Sequence, residues 1–137
     1  MVAGLRPPAA PSMVATVLVV EDEDSLRQAV VKVLRKSGFE VLEAADGSAA
    51  IDVLRKKSRE IDLMLLDMTM RGASTHEILG EVAKTTPDTR VILTSAFGQE
   101  TVVGMTESQI CSFIRKPFQI TNLLQVLRDA LSTGRSR

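Results

Sequence analysis

The sequence predicts a doubly wound α/β domain, with one parallel sheet of five strands covered on both faces by five helices. Short apolar runs alternate with helical patterns along the whole chain, which is the order that builds such a sheet. Several of the runs are apolar throughout, as strands buried on both faces are. Three of them also end on ionisable residues. Val17–Val20 runs into Glu21 and Asp22, Leu63–Leu66 into Asp67, and Ile110–Ile114 through Arg115 into Lys116. In open α/β sheets ligands bind at the carboxyl ends of the strands. If these runs are parallel neighbours, three carboxylates and one ammonium meet at one edge.

The elements follow in order. Thr16 to Val20 reads as the first strand. Ser25 to Ser37 carries Leu26, Ala29, Val30, Val33 and Leu34 at helical spacing, and Gly38 follows where a helix-ending glycine belongs. Glu23 and Asp24 read as charges of that helix's first turn. Phe39 to Glu43 is strand two. Asp46-Gly47 opens a second helix with Ala50, Val53 and Leu54 on one face and a basic end at Arg55, Lys56 and Lys57. Ile61 to Leu66 is strand three. A third helix over Ser74 to Lys84 contains Gly80, which weakens its pattern. Arg90 to Thr94 is strand four. Gly98 to Ser108 gives the weakest helix, with Gly104 and the β-branched Thr101, Val102 and Val103 inside it. Ile110 to Ile114 is strand five, and Thr121 to Ser132 is an amphipathic final helix. The connections are expected to be right-handed crossovers.

The 137 residues suffice for one domain with a true core. A hydrophobic fraction of 45% and a charged fraction of 25% exclude a disordered chain. Lys plus Arg and Asp plus Glu both number 17, a balance that favours neither nucleic acid nor a membrane surface as partner. No stretch approaches the ~20 apolar residues of a membrane span. Pro7, Pro8 and Pro11 interrupt any signal-peptide core. The expected organisation is a flexible Pro/Ala-rich lead-in over residues 1–13, a domain over 14–132 and a frayed tail over 133–137. The single Cys111 excludes an internal disulfide, fits a reducing cytoplasmic setting, and reads as a small buried core residue.

Clustered carboxylates such as Glu21, Asp22 and Asp67 repel one another unless a hard cation neutralises them. Mg²⁺ takes oxygen ligands of this kind together with phosphate oxygens and water. Asp67, at the end of the most continuous apolar run, is the candidate nucleophile towards phosphorus. Lys116 would neutralise phosphoryl charge. A hydroxyl ending strand four, Ser95 or Thr94, could donate to a phosphoryl oxygen, and the small Ala96 would leave access.

These residues match a known pattern. The chain resembles the receiver domain of bacterial two-component response regulators over roughly residues 14–132. The resemblance rests on Val17–Glu23, Asp62–Asp67, Val91–Ala96 and Lys116-Pro117-Phe118, in order and at these spacings. It implies a CheY-like, flavodoxin-like fold with strand order 2-1-3-4-5. It implies that Asp67 accepts a phosphoryl group from a sensor histidine kinase or phosphotransfer protein. Mg²⁺ would be held by Asp22, Asp67 and the backbone carbonyl of Thr69, with Glu21 acting mainly through water. Weak self-dephosphorylation, rather than multiple-turnover catalysis, goes with that role. Ser95 would be the switch hydroxyl, with Thr94 as runner-up because a one-residue slip turns a strand side chain over. Phe113 takes the aromatic switch position. Phosphorylation would then remodel the face made by the fourth helical segment, the fifth strand and the last helix, where a downstream protein docks and homodimers form in the family. Lys116-Pro117 resembles the family's cis peptide bond.

The chain departs from the pattern after the phosphoacceptor. The family usually has Met-Pro-Gly followed by a second Gly, whereas this chain has Arg71 for the Pro and Thr75 for the second Gly. Glu21 replaces the more usual Asp. His76, the only histidine, reads as a surface or capping residue, and Phe97, Phe118, Met64, Met68 and Met70 as packing. Three other readings compete. One is a pseudo-receiver that binds a partner without phosphorylation, motivated by Arg71 and Thr75. Another is the receiver of a larger hybrid sensor kinase. The last is a haloacid-dehalogenase-type phosphohydrolase, suggested by Asp67-Met68-Thr69 but opposed by the mid-chain position of Asp67. No nucleotide-binding loop is expected, and no DNA-binding domain follows the receiver in this sequence, so the output is expected to be a protein contact or to lie in a domain outside this sequence.

Overall fold

The computed structural model describes residues 14–69, 72–96 and 110–134. Its strands are β1 (Thr16–Val20), β2 (Glu40–Ala44), β3 (Leu63–Asp67), β4 (Arg90–Ser95) and β5 (Ile110–Arg115). The helices among the described residues are α1 (Asp24–Lys36), α2 (Gly47–Lys56), α3 (Thr75–Thr85) and α4 (Ile120–Gly134). All pairings are parallel, and the strand order is β2-β1-β3-β4-β5. This is the doubly wound, flavodoxin-like arrangement expected. The predicted helix over Gly98–Ser108 and the lead-in over 1–13 lie outside the described residues. The last helix extends to Gly134, past its expected end at Ser132.

Alternation along the strands builds two cores. Val17, Val19, Leu63, Leu65, Ile92 and Ile114 pack with Val30 and Leu34 of α1 and Leu123 and Leu127 of α4. Leu18, Val20, Met64, Leu66, Val91 and Leu93 pack on the opposite face with Leu54 of α2 and Ile78, Leu79 and Val82 of α3. The central β3 is buried at every position, so its uninterrupted apolar run is explained by cover on both sides.

Helix ends follow from local chemistry. Gly38 takes a φ of 100°, and the Phe39 N–H reaches back to the Leu34 carbonyl at 3.1 Å, closing α1. The Asp46 carboxylate caps α2 by accepting from the Ala49 N–H at 2.8 Å. Ser74 and Glu77 form a reciprocal capping box on α3, and Gly80 lies on its exposed side. Arg55 of α2 grips Glu81 of α3 through two hydrogen bonds of 3.1 and 3.2 Å, tying the two helices together.

One expectation is corrected. Cys111 is exposed rather than buried. The β4–β5 register passes from Val91↔Ile110 to Ile92↔Ser112, so Cys111 is the extra residue of a bulge on an edge strand. Its thiol donates to the Val91 carbonyl at 3.6 Å, and partial burial pushes its pKa up.

Candidate functional site

Strand order places the charged strand ends side by side. β1 and β3 are direct neighbours, so Glu21 and Asp22 after Val20 lie beside Asp67, which ends β3. Backbone bonds carry the ladder beyond the strand ends. The Glu21 N–H donates to Ala44, Met68 to Thr94 and Lys116 to Ser95, at 3.1, 2.8 and 2.8 Å. The loops that hold the site are thereby tied to the sheet.

Glu21, Asp22 and Asp67 offer carboxylate oxygens that all lie within 4.8 Å of one another. The Lys116 ammonium donates to Glu21 Oε1 at 2.8 Å and to Asp67 Oδ2 at 3.1 Å. Asp67 Oδ1 accepts from both the N–H and the hydroxyl of Thr69, at 3.0 and 2.9 Å. Glu21 Oε2 accepts from the Glu23 N–H at 3.1 Å. Glu21 and Asp67 are buried while Asp22 is exposed, so the cluster opens to solvent on one side. The Lys116-Pro117 peptide is cis.

The two buried carboxylates are held differently. Burial pushes the Asp67 carboxyl up, but the Thr69 N–H and hydroxyl and the Lys116 ammonium outweigh it and leave its pKa below the usual value. At Glu21 burial wins over Lys116 and the Glu23 N–H, with help from the Asp67 charge, and the pKa is raised. Burial lowers Lys116, yet its two carboxylate partners hold it above its usual value. Asp67 is therefore the more firmly ionised of the two buried carboxylates. The donor set is oxygen throughout, clustered tightly and partly open to water, which fits a hard divalent cation such as Mg²⁺.

Ser95 and Thr94 are both buried at the end of β4. Side chains alternate along a strand, so Ser95 follows Val91 and Leu93 towards the α2/α3 face, while Thr94 follows Ile92 towards α1 and α4. Phe113, opposite Leu93 in β5, packs against that same α2/α3 core. Ser95 and Phe113 thus share a face that Thr94 does not. Thr69 is exposed, and so is His76, in the first turn of α3. A cavity of about 520 Å³ opens beside Lys116, walled by Leu26, Ala96, Pro117 and Phe118.

Two residues near the site escaped the sequence reading. The Arg27 side chain is 12% exposed, and its guanidinium donates to the Glu21 carbonyl at 2.9 Å and bonds Asp24 and Glu43 at 2.8 and 3.2 Å. A polar residue inside an amphipathic helix reads as a surface charge, and no spacing rule would have pointed it at Glu21. Thr75, noted only as a departure, donates its hydroxyl to the Met68 carbonyl at 3.1 Å.

The chain has relatives among known proteins. Residues 17–128 match the model of the response regulator receiver domain. The chain is 31% identical over 122 residues to the chemotaxis protein CheY of Bacillus subtilis, covering 88% of this chain and 100% of that protein. It is also 31% identical over 118 residues to the sensor kinase CckA of Brucella abortus, covering 85% of this chain but spanning 12% of that kinase's length. A crystal structure of the receiver domain of the hybrid histidine kinase CckA superposes with a TM-score of 0.75 at 30% identity, covering 85% of this chain and 99% of that one. The response regulator TrrA of Thermotoga maritima, solved in complex with Mg(2+)-BeF, gives a TM-score of 0.72 at 27% identity, covering 85% and 99%. The chain belongs to the response regulator receiver domain family of two-component signalling proteins.

Proposed function

We propose that the protein is a phosphorylation-activated signalling switch whose phosphoacceptor is Asp67. The observation that carries this reading is the Lys116 ammonium bonded at once to Asp67 and Glu21, with Asp22 completing an oxygen cluster within 4.8 Å. A donor phosphohistidine on a sensor kinase or phosphotransfer protein meets Asp67, whose carboxylate oxygen attacks phosphorus. The new P–O bond forms as the P–N bond breaks, and the electron pair leaves with the imidazole, which takes up a proton. Lys116 sits where the phosphoryl oxygens arrive and neutralises their charge. Asp22, Asp67 and the Thr69 carbonyl, with Glu21 through water, would hold Mg²⁺. Bound there, the ion would screen the phosphoryl oxygens from the carboxylates. The cavity beside Lys116, bounded by small Ala96 and apolar Leu26 and Phe118, supplies the approach for the donor.

Ser95 is the hydroxyl that meets the phosphoryl group, and Phe113, on its face of the sheet, carries the change outward. Physically a new charge biases a two-state element. The output is a protein contact on the surface that includes β5 and α4, which is also where a homodimer would form, and the setting is cytoplasmic. The chain is as similar to the receiver-bearing kinase CckA as to CheY, and either context delivers a phosphoryl group to Asp67.

Binding of beryllofluoride, a phosphoryl mimic, tests the reading against the pseudo-receiver alternative. It should bind only with Mg²⁺ present and shift the amide resonances of Asp67, Ser95 and Phe113. Absence of binding at any Mg²⁺ concentration would favour a phosphorylation-independent module.

A further inference from the structure

The loop from β3 to α3 is where the chain leaves the family pattern, and it is anchored at both ends. Thr75 opens α3 directly behind the Ser74 cap, in which Ser74 Oγ accepts from the Glu77 N–H at 3.1 Å and Glu77 Oε1 from the Ser74 N–H at 2.7 Å. On the other side the loop rests on α2. Gly72, at a φ of 82°, would bring a Cβ to 3.0 Å from the Ser48 N, and a Cβ on Gly47 would overlap the Ala73 backbone. Thr75 is thus presented from a fixed helix start.

Its hydroxyl donates to the Met68 carbonyl at 3.1 Å. That carbonyl belongs to the same peptide group as the Thr69 N–H, which donates to Asp67 Oδ1 at 3.0 Å. A peptide group is planar and its C=O and N–H point opposite ways. Holding the carbonyl therefore aims the N–H. The preceding peptide is pinned too, because the Met68 N–H donates to Thr94 at 2.8 Å. Hydrogen bonds in such a chain polarise one another, so a donor on the carbonyl also makes the N–H a better donor.

We propose that Thr75 is a positioning residue for the phosphoacceptor, aiming the Thr69 N–H at the Asp67 carboxylate through the shared Met68–Thr69 peptide. This rests on the reading of Asp67 as the acceptor and gives a purpose to the Thr that stands where the family usually has a second Gly. A glycine there could not make the bond.

Thr75→Val keeps the shape and removes the donor, while Thr75→Ser restores the donor alone. Hydrogen exchange of the Thr69 amide in metal-free protein is the first measurement, and Mg²⁺ affinity from amide shifts is the second. Thr75→Val should speed Thr69 exchange and weaken Mg²⁺ binding, each roughly three- to tenfold, the range one hydrogen bond supplies. Thr75→Ser should stay within about twofold of the wild type on the same scale. Gly47→Ala, which pushes the loop from its other side, should move Thr69 exchange in the same direction, with circular dichroism confirming that each variant is folded. Unchanged Thr69 exchange in folded Thr75→Val, or a Thr75→Ser variant as impaired as Thr75→Val, would overturn the proposal. A wild-type protein that binds no Mg²⁺ would instead count against the phosphoacceptor reading, since the exchange measurement needs no metal.

Discussion

Replacing Lys116 with methionine should destabilise the metal-free protein and, at the same time, strengthen its hold on Mg²⁺. The Lys116 side chain is 18% exposed, and its ammonium meets the carboxylates of side chains that are 7% and 2% exposed, at 2.8 and 3.1 Å. At an effective dielectric near 20, unit charges at such separations attract by roughly 5–6 kcal/mol per pair. Much of that gross attraction is offset by the several kcal/mol needed to desolvate each ion. Breaking a fully buried pair costs about 3–5 kcal/mol. Here the loss should be smaller, about 2 kcal/mol, because the Lys116 side chain keeps 18% of its exposure and water can reach the carboxylates it leaves behind. For a chain of this length that is a fall of about 5–10 °C in Tm. The Mg²⁺ effect has the opposite sign, since the cation no longer competes with an ammonium for Glu21 and Asp67. Thermal unfolding followed by circular dichroism, with and without saturating Mg²⁺, reads both effects. The variant should be less stable than the wild type without the ion and should gain more Tm when it is added. Equal stability of the two proteins, with equal gains from Mg²⁺, would refute this charge balance at Lys116.

Other consequences are smaller in scope. Ser95→Ala should uncouple Phe113 from beryllofluoride binding, leaving its resonances unshifted, whereas Thr94→Ala should leave the coupling intact because Thr94 faces the opposite core. The reverse pattern would show that the hydroxyls have been assigned the wrong way round. Glu81 lies below its usual pKa of 4.5 because Arg55 bonds it. A depressed carboxyl adds stability above its unfolded pKa and loses it as pH falls through the folded one. Arg55→Met should therefore lower Tm at pH 7, and the deficit should vanish in acid, below the folded Glu81 pKa. Ser74→Ala should cost about 1 kcal/mol, the usual loss when a helix cap is removed, measurable by urea unfolding.

The framework of this fold is written in runs such as Leu63–Leu66, which has no polar interruption because β3 is covered on both faces. Gly38 and Asp46 announced helix ends through their own backbone and side-chain chemistry, and the structure places them there. The meeting of Glu21, Asp22, Asp67 and Lys116 was legible because parallel strands put their carboxyl ends at one edge. Cys111 was not, because a bulge on an edge strand removes a residue from the alternation that marks burial. Arg27 was missed for a related reason. Its long side chain runs along the protein to the Glu21 carbonyl, so its position on the helix does not report where its charge ends. Thr75 was seen only as a departure, since its bond goes to a backbone carbonyl seven residues earlier and leaves no pattern in side-chain types.

Asp67 is the proposed acceptor of the phosphoryl group. Intact-mass measurement after treatment with a small phosphodonor and Mg²⁺ tests this role most directly, comparing the wild type with Asp67→Asn. The wild type should gain the mass of one phosphoryl group, the gain should need Mg²⁺, and Asp67→Asn should gain nothing. An Asp67→Asn variant labelled as fully as the wild type would contradict this role.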